Sequence, residues 1–416
     1  FSKNKSSLLN FEISCDKIYK GGAYMNRGFK DIKLICLLTI LIFCVFLFGC
    51  SEDKAKTKPA SEKQSTTEKT DNDDFTLLIY MCGSSLESKN GSASDDISEL
   101  LSAEIPDKVN VVLETGGSLR WKKHGISSDK LQRYEVSDNK LVLLEESKLC
   151  CMGDSSTLKD FIDWGIKEFP SERTALILWD HGGGFLKGIC KDEMYNNDWL
   201  TVQEFDEALS ESTFSGSFEF IGFDCCLMAN YETALTVSKY ADYMIASEDD
   251  EPTGGWDYKA VAEALGTKSF YDVILNSYEK SHHDSDDYTL SAIKLTEFDK
   301  VKAVLSQCID KAERSNNRLI MSKAVQECES FGSSIGYLYD FGDIADYFNI
   351  SYDFSRIIKA VKSETKSNIS GLNICFPSDD EKALENYLLI SDDKNYCDYL
   401  KNNYSENRGQ ICGKSQ

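Results

Sequence analysis

Positive charge is the scarcest commodity in this chain. Against 69 Asp and Glu stand only 46 Lys and Arg, giving a formal net charge of −23 over 416 residues and a pI near 4.7. That balance excludes nucleic acid as a partner, because neutralising phosphates requires a basic surface. A negative surface instead serves solubility and attracts cationic partners. Histidine is nearly as rare, with four in the whole chain, so few side chains can exchange a proton near neutral pH. Fifteen cysteines are present, yet no two stand in C-x-x-C spacing, which excludes zinc ribbons and thioredoxin-like motifs. Four of them (Cys15, Cys36, Cys44, Cys50) lie in the N-terminal segments. The other eleven are scattered through apolar runs and read as buried free thiols, not as a disulfide framework. No internal repeat is visible.

Long apolar runs are also absent, with one exception. Residues 25–50 read MNRGFKDIKLICLLTILIFCVFLFGC: Met25, three basic residues, then 15 residues from Leu34 to Phe48 broken only by Thr39. This is the plan of a secretory signal peptide, and the run is short for a spanning helix of about 20 residues. Its end, Leu-Phe-Gly-Cys, resembles the lipobox of bacterial lipoproteins. The resemblance implies cleavage before Cys50 and a diacylglycerol on its thiol, with the rest of the chain on the outer face of the cell membrane. Residues 1–24 begin with Phe1 and end in Gly21-Gly22-Ala23-Tyr24. Two Gly codons can read as a ribosome-binding sequence, so these residues are expected to be a translated leader ahead of Met25. After Cys50, no aromatic or branched aliphatic residue appears until Phe75. Such a stretch cannot offset its ordering entropy by burial and is expected to be a flexible tether. The expected organisation is leader 1–24, lipoprotein signal peptide 25–49, tether 50–74, one catalytic domain 75–400 and a tail 401–416.

With 41% hydrophobic residues and 11% aromatics the remainder can bury a substantial core. From Phe75 short apolar runs alternate with amphipathic stretches. Strands are expected at 75–81, 109–114, 174–179, 218–223, 243–247, 288–295 and 371–376. Helical patterns lie at 94–101, 156–168, 202–210, 228–238 and 260–264, with a further helical stretch over 297–330. Strand–helix alternation with continuous apolar strands predicts an α/β fold, a mostly parallel central sheet with helices on both faces.

Two strand ends carry the unusual residues. TALILW runs into Asp180-His181-Gly182-Gly183-Gly184, and FEFIGF runs into Asp224-Cys225-Cys226-Leu227-Met228. In an open α/β sheet the carboxyl ends of the strands form the ligand crevice. If these two strands are neighbours, His181 and Cys226 meet there, and an imidazole beside a thiol can generate the thiolate that attacks a carbonyl. A helix starting at Cys226 is expected to lower the thiol pKa further. Glycines after His181 leave backbone N–H groups free to approach an oxyanion. Asp224 is also a good helix cap by residue type. The remaining histidines, His124, His282 and His283, fall in polar stretches and are assigned to solvent.

The segments LWDHGGG (178–184), GICKDE (188–193), IGFDCCLMANYETA (221–234) and ASEDDEPTGGWDY (246–258) resemble the clostripain family of cysteine peptidases. Weaker support comes from LIYMCGSSLES (78–88) and SGLNICFP (370–377). The resemblance implies a three-layer caspase-like sandwich and an endopeptidase that cuts after basic residues, Arg or Lys, through a thioacyl intermediate. It makes Cys226 the nucleophile, with Cys225 in the place of the family's usual Ala, and His181 the base. It assigns the oxyanion hole to the N–H groups of Gly182 and Cys226. Asp224 falls in the S1 pocket, where a carboxylate selects Arg or Lys; a second acid there comes from Asp249, Asp250 or Glu251. Self-cleavage between nucleophile and base is expected at Lys187 or Lys191. The chemistry needs no cofactor; some relatives need calcium, for which the run Asp249–Glu251 is the candidate holder. The implied partners are protein or peptide substrates with a basic P1 residue, and the membrane through the lipid on Cys50.

Two other classes compete. HGGG is also a lipase oxyanion motif, and Gly332-Ser333-Ser334-Ile335-Gly336 fits G-x-S-x-G. That fold needs its His after the Ser, and the last His in the chain is His283, so the serine-esterase reading fails. The other class is an inactive surface-displayed binding lipoprotein of the same fold, against which the intact Cys/His pair argues.

Overall fold

An apolar run with no alternation must be covered on both faces, and the central strands of this chain are. The computed structural model describes residues 73–284, 287–315, 317, 319–332, 337–377 and 380–411. The readings made for the leader, the signal peptide, Cys50, the tether up to residue 72 and the serine motif at 333–336 lie outside the described residues. In chain order the strands are β1 (Asp73–Cys82), β2 (Val109–Gly116), β3 (Lys130–Ser137), β4 (Lys140–Lys148), β5 (Ser171–Trp179), β6 (Ile189–Asp192) and β7 (Asp198–Leu200). They continue with β8 (Phe218–Asp224), β9 (Ala241–Ala246), β10 (Thr289–Lys294), β11 (Ser330–Phe331), β12 (Leu338–Asp340), β13 (Ile358–Lys362) and β14 (Asn373–Cys375).

Nine of these form one sheet in the order β13-β10-β9-β8-β5-β1-β2-β3-β4. The five inner strands, β9 to β2, run parallel. Antiparallel pairs finish both edges. Successive residues of the parallel strands point to opposite faces. Leu78, Tyr80, Leu176, Leu178, Ile221 and Phe223 face one core. There they meet Leu158 and Phe161 of α2 (Ser155–Glu168), Phe205 of α3 (Val202–Glu211) and Val301 of α7 (Asp299–Arg314). Leu77, Ile79, Ala175, Ile177 and Phe220 face the other core. Against them pack Ile97 of α1 (Ser92–Leu100), Val261 of α5 (Tyr258–Ala264) and Ile274 of α6 (Phe270–His282). Each fully buried Leu, Ile, Val or Phe among them contributes roughly 1.5–3 kcal/mol by leaving water, which is what holds three layers together.

The expected parallel sheet, sandwiched between helices, is what the chain forms. Several details differ, among them the edge strand β13 and the short strands β6, β7, β11 and β12, none of which the apolar runs announce. Strands β3 and β4 were not anticipated, because KLQRYEVS and KLVLLEESK carry charge throughout and β4 is an exposed edge. The run at 371–376 does make a strand, β14, but it pairs with β12 in a separate three-stranded sheet. The expected tail from 401 is the continuation of a helix, Lys394–Ile411.

Because β1, β5 and β8 are parallel neighbours, their carboxyl ends lie at one edge: Met81 is level with Trp179, and Trp179 with Asp224. The loops leaving that edge carry Ser84 and Ser85, His181 and Gly182, and Cys225 and Cys226.

Candidate active site

Asp180 secures the loop after β5. Its buried carboxylate accepts the hydroxyl of Ser84 through Oδ1 and the Lys191 N–H at 2.5 Å through Oδ2. His181 follows, half-buried, with Nε2 hydrogen-bonded to Ser85 Oγ at 3.0 Å. Burial, then the charges of Lys191 and Lys89, push the imidazole pKa down, which keeps it neutral and basic in form.

Gly182 is where the two loops touch. A methyl group on its Cα would stand 1.9 Å from the Cys226 carbonyl oxygen and 2.8 Å from the Cys226 nitrogen, so only glycine lets the backbones meet this closely. Among the described residues no protein acceptor takes the Gly182 N–H or the Cys226 N–H. Leu227 sits at φ 69°, a left-handed conformation that costs a branched residue about 1–2 kcal/mol. The turn is held by Leu227 N–H to Asp249 C=O at 3.0 Å and Ala229 N–H to Ser247 C=O at 2.8 Å.

The adjacent thiols point different ways. Cys225 is buried and its sulfur donates to the Leu178 carbonyl at 3.4 Å. Cys226 accepts the Glu251 N–H on its sulfur at 3.2 Å. One cavity of about 120 Å³ is lined by His181, Cys226, Asp224, Glu251, Asp96 and the turn 252–255, among others. Among the described residues no Lys or Arg lines it. The imidazole and the thiol therefore share one hollow while each is hydrogen-bonded to another group, and catalytic hydrogen bonds are often unformed in free enzymes.

At the cavity floor Asp224 and Glu251 face each other with their carboxylate oxygens buried. Both carboxyls are pushed up, first by burial; the Asp224 charge raises Glu251 further, while the Glu251 carboxyl, as a hydrogen donor, holds Asp224 down in part. Asp96 adds a third carboxylate, held by the Trp179 indole N–H at 2.7 Å. By strict geometry Asp224 Oδ2 and both Glu251 oxygens lack a hydrogen bond among the described residues, but the Tyr258 hydroxyl and the Trp256 indole stand against the pair as polar neighbours. Such a floor is costly unless a cation enters it.

These distances revise several expectations. The helix does not open at Cys226: α4 (Tyr231–Val237) begins later, capped by Asn230, whose Oδ1 accepts the Thr233 N–H at 2.7 Å. Asp224 is therefore no cap, and no helix end lowers the thiol. Burial and the Glu251 charge instead raise Cys226 to about 12 in the free protein. The side chains of the acidic run do not converge on one point. Asp249 pairs with Lys366 at 2.9 Å, Asp250 is exposed, and Glu251 turns to Asp224; among the described residues no three His, Cys, Asp or Glu have metal-holding geometry. His282 is buried, not solvated, and Nε2 of His124 is bonded to the Ser94 carbonyl at 2.9 Å. Lys187 is exposed at the end of a one-turn helix, whereas Lys191 lies half-buried within β6, its Nζ 5.8 Å from the Trp199 ring centre. Ser85 escaped notice; the signal was its place just beyond β1, on the same sheet edge.

The sequence profile of the clostripain family matches residues 79–410. The chain belongs to the clostripain family of cysteine peptidases. Clostripain of Hathewaya histolytica is 25% identical over 296 residues, which cover 59% of this chain and 54% of clostripain. The chain thus spans about half the length of that curated relative. Among solved structures, a secreted C11 cysteine protease from Bacteroides thetaiotaomicron, in complex with an irreversible peptide inhibitor, is similar with a TM-score of 0.61. It is 15% identical, and the match covers 79% of this chain and 99% of that one. An inactive zymogen C11 protease from Parabacteroides distasonis is similar with a TM-score of 0.59 at 21% identity, covering 78% and 97%. At such identities these two likenesses bear on the fold of this family member, which is the caspase-like sandwich.

Proposed function

We propose that this protein is a cysteine endopeptidase that cleaves after basic residues. The observation that carries the reading is the contact of Gly182 with the Cys226 backbone, which sets His181 and Cys226 on one cavity whose floor is acidic and, among the described residues, free of Lys and Arg. A P1 Arg or Lys entering that floor gives Asp224 and Glu251 the cation they lack, and the guanidinium fork suits paired carboxylates best. The Cys226 sulfur then attacks the scissile carbonyl carbon while its proton passes to His181. The carbonyl oxygen becomes an oxyanion that the N–H groups of Gly182 and Cys226 receive. Collapse breaks the C–N bond, the leaving amine takes the proton from His181, and a thioacyl enzyme remains. Water, deprotonated by His181, hydrolyses it and regenerates the thiol.

Residues 75–400 form the catalytic unit in this reading. The N-terminal pattern supports export through the signal peptide 25–49 and anchoring by lipid on Cys50 to the outer face of a bacterial membrane, with 50–74 as the tether. Self-cleavage falls at Lys187, which is exposed, in preference to Lys191, which a strand holds.

The test is hydrolysis of a fluorogenic Arg-amide by purified protein. Activity that a thiol alkylator and Cys226→Ala both abolish is expected; activity surviving Cys226→Ala removes the nucleophile, and a best P1 residue that is uncharged removes the pocket assignment.

A further inference from the structure

We propose that His282 is a positioning residue that fixes the wall of the P1 pocket, an inference that rests on the peptidase reading above. The wall is the turn from Pro252 to Gly255, which lines the cavity. Its two glycines adopt positive φ, 121° at Gly254 and 53° at Gly255, so the turn has little stiffness of its own. Internally it is closed by the Gly255 N–H donating to Pro252 C=O at 3.2 Å. Gly255 packs directly on Asp224: a methyl group on its Cα would stand 2.8 Å from Oδ1. Any shift of Gly255 therefore changes the space and the solvation of the carboxylate that meets the P1 cation.

What holds Gly255 is an imidazole. Its carbonyl oxygen receives Nε2 of His282 at 2.8 Å, and because a carbonyl only accepts, Nε2 carries the hydrogen. His282 is the last residue of α6 and only 5% exposed. One turn earlier on the same helix, the Tyr278 ring meets it edge-on with centroids 4.5 Å apart. Tyr278, Ile274 and Leu275 root that helix in the core, so the donor is mounted on a rigid element. His282 does not line the cavity and touches no reacting atom; it acts through Gly255.

The experiment compares full-chain His282→Ala and His282→Gln with the parent. Readouts are KM and kcat for an Arg-amide, the rate of Cys226 alkylation by iodoacetamide, and hydrogen exchange of the amides at 253–256. In His282→Ala, KM is expected to rise about tenfold with kcat within about twofold, the size of one lost hydrogen bond to a buried acceptor. Alkylation is expected to stay unchanged and exchange in the turn to quicken. The Gln variant, whose amide can donate where Nε2 did, is expected to recover most of both losses. A drop in kcat at constant KM, an unaltered exchange rate, or a Gln variant no better than Ala overturns the proposal. If the parent itself shows no Cys226-dependent cleavage of the Arg-amide, it is the peptidase reading that has failed, and the exchange comparison alone decides whether His282 pins the turn.

Discussion

Replacing Gly182 with Ala adds one methyl group and touches no reacting atom, yet it should disable the enzyme. The added carbon would lie 1.9 Å from the Cys226 carbonyl oxygen, whereas real Cβ contacts stay above 3.0 Å. The loops must part by about 1.1 Å, and the obstacle is backbone, which cannot swing aside as a side-chain tip does. A displacement of about 1 Å between reacting groups costs on the order of 100-fold, or about 2.7 kcal/mol in the barrier. We therefore expect kcat/KM for an Arg-amide to fall about 100-fold in Gly182→Ala, mostly in kcat, with an unchanged near-ultraviolet circular dichroism spectrum. Initial rates at substrate concentrations well below KM suffice to measure it. Activity within threefold of the parent would refute the argument that contact between these two loops sets the catalytic distance.

Other outcomes follow from the same geometry. Asp224→Asn should cut the preference for a P1 Arg over its neutral isostere citrulline by about 100-fold, the scale of a buried charge pair losing one member; a P1 comparison checks it. Because burial raises the Asp224 pKa, the folded state holds its proton longer than the unfolded chain, so this group takes stability away as pH climbs past about 4. The Asn variant should accordingly melt higher than the parent at pH 7 and show no such advantage at pH 4, as thermal scans at both values will report. With the Cys226 thiol raised to about 12, iodoacetamide labelling of the free protein should keep accelerating above pH 9; a plateau near pH 7 would mean a preformed thiolate. Lys187→Ala should abolish a two-fragment pattern on a denaturing gel while Lys191→Ala leaves it, since the first residue is exposed and the second is held in β6.

Much of this was legible in the chain because hydrophobic period and strand ends are local properties. Runs such as TALILW and FEFIGF announce strands buried on both faces, and the polar residues that interrupt them fall where a parallel sheet has its crevice. Hence the sandwich was legible from position, whereas the meeting of His181 and Cys226 hung on β5 and β8 being neighbours, which the sheet order supplies. Charge hid one side of the sheet: β3 and β4 lie towards an edge, where one side needs no apolar cover. The turn after Cys226 was misread as a helix because Leu227, Met228 and Ala229 are good helix formers; tertiary bonds to Ser247 and Asp249 outweigh that preference and hold Leu227 in a left-handed conformation. Which acid joins Asp224 could not be read from three consecutive carboxylates, since the choice depends on Lys366 capturing Asp249 from a distant segment. His282 looked solvent-facing because its neighbours in the chain are polar, while its partner, Gly255, is remote in sequence.

Peptide mapping after reaction with an Arg chloromethyl ketone tests the central claim most directly, because the reagent must find the acidic floor and the reactive sulfur together. One adduct on Cys226, none on Cys225, and none at all in His181→Ala over the same interval is the predicted result. Modification of another cysteine, or an adduct that forms equally fast with a neutral P1 reagent, would contradict it.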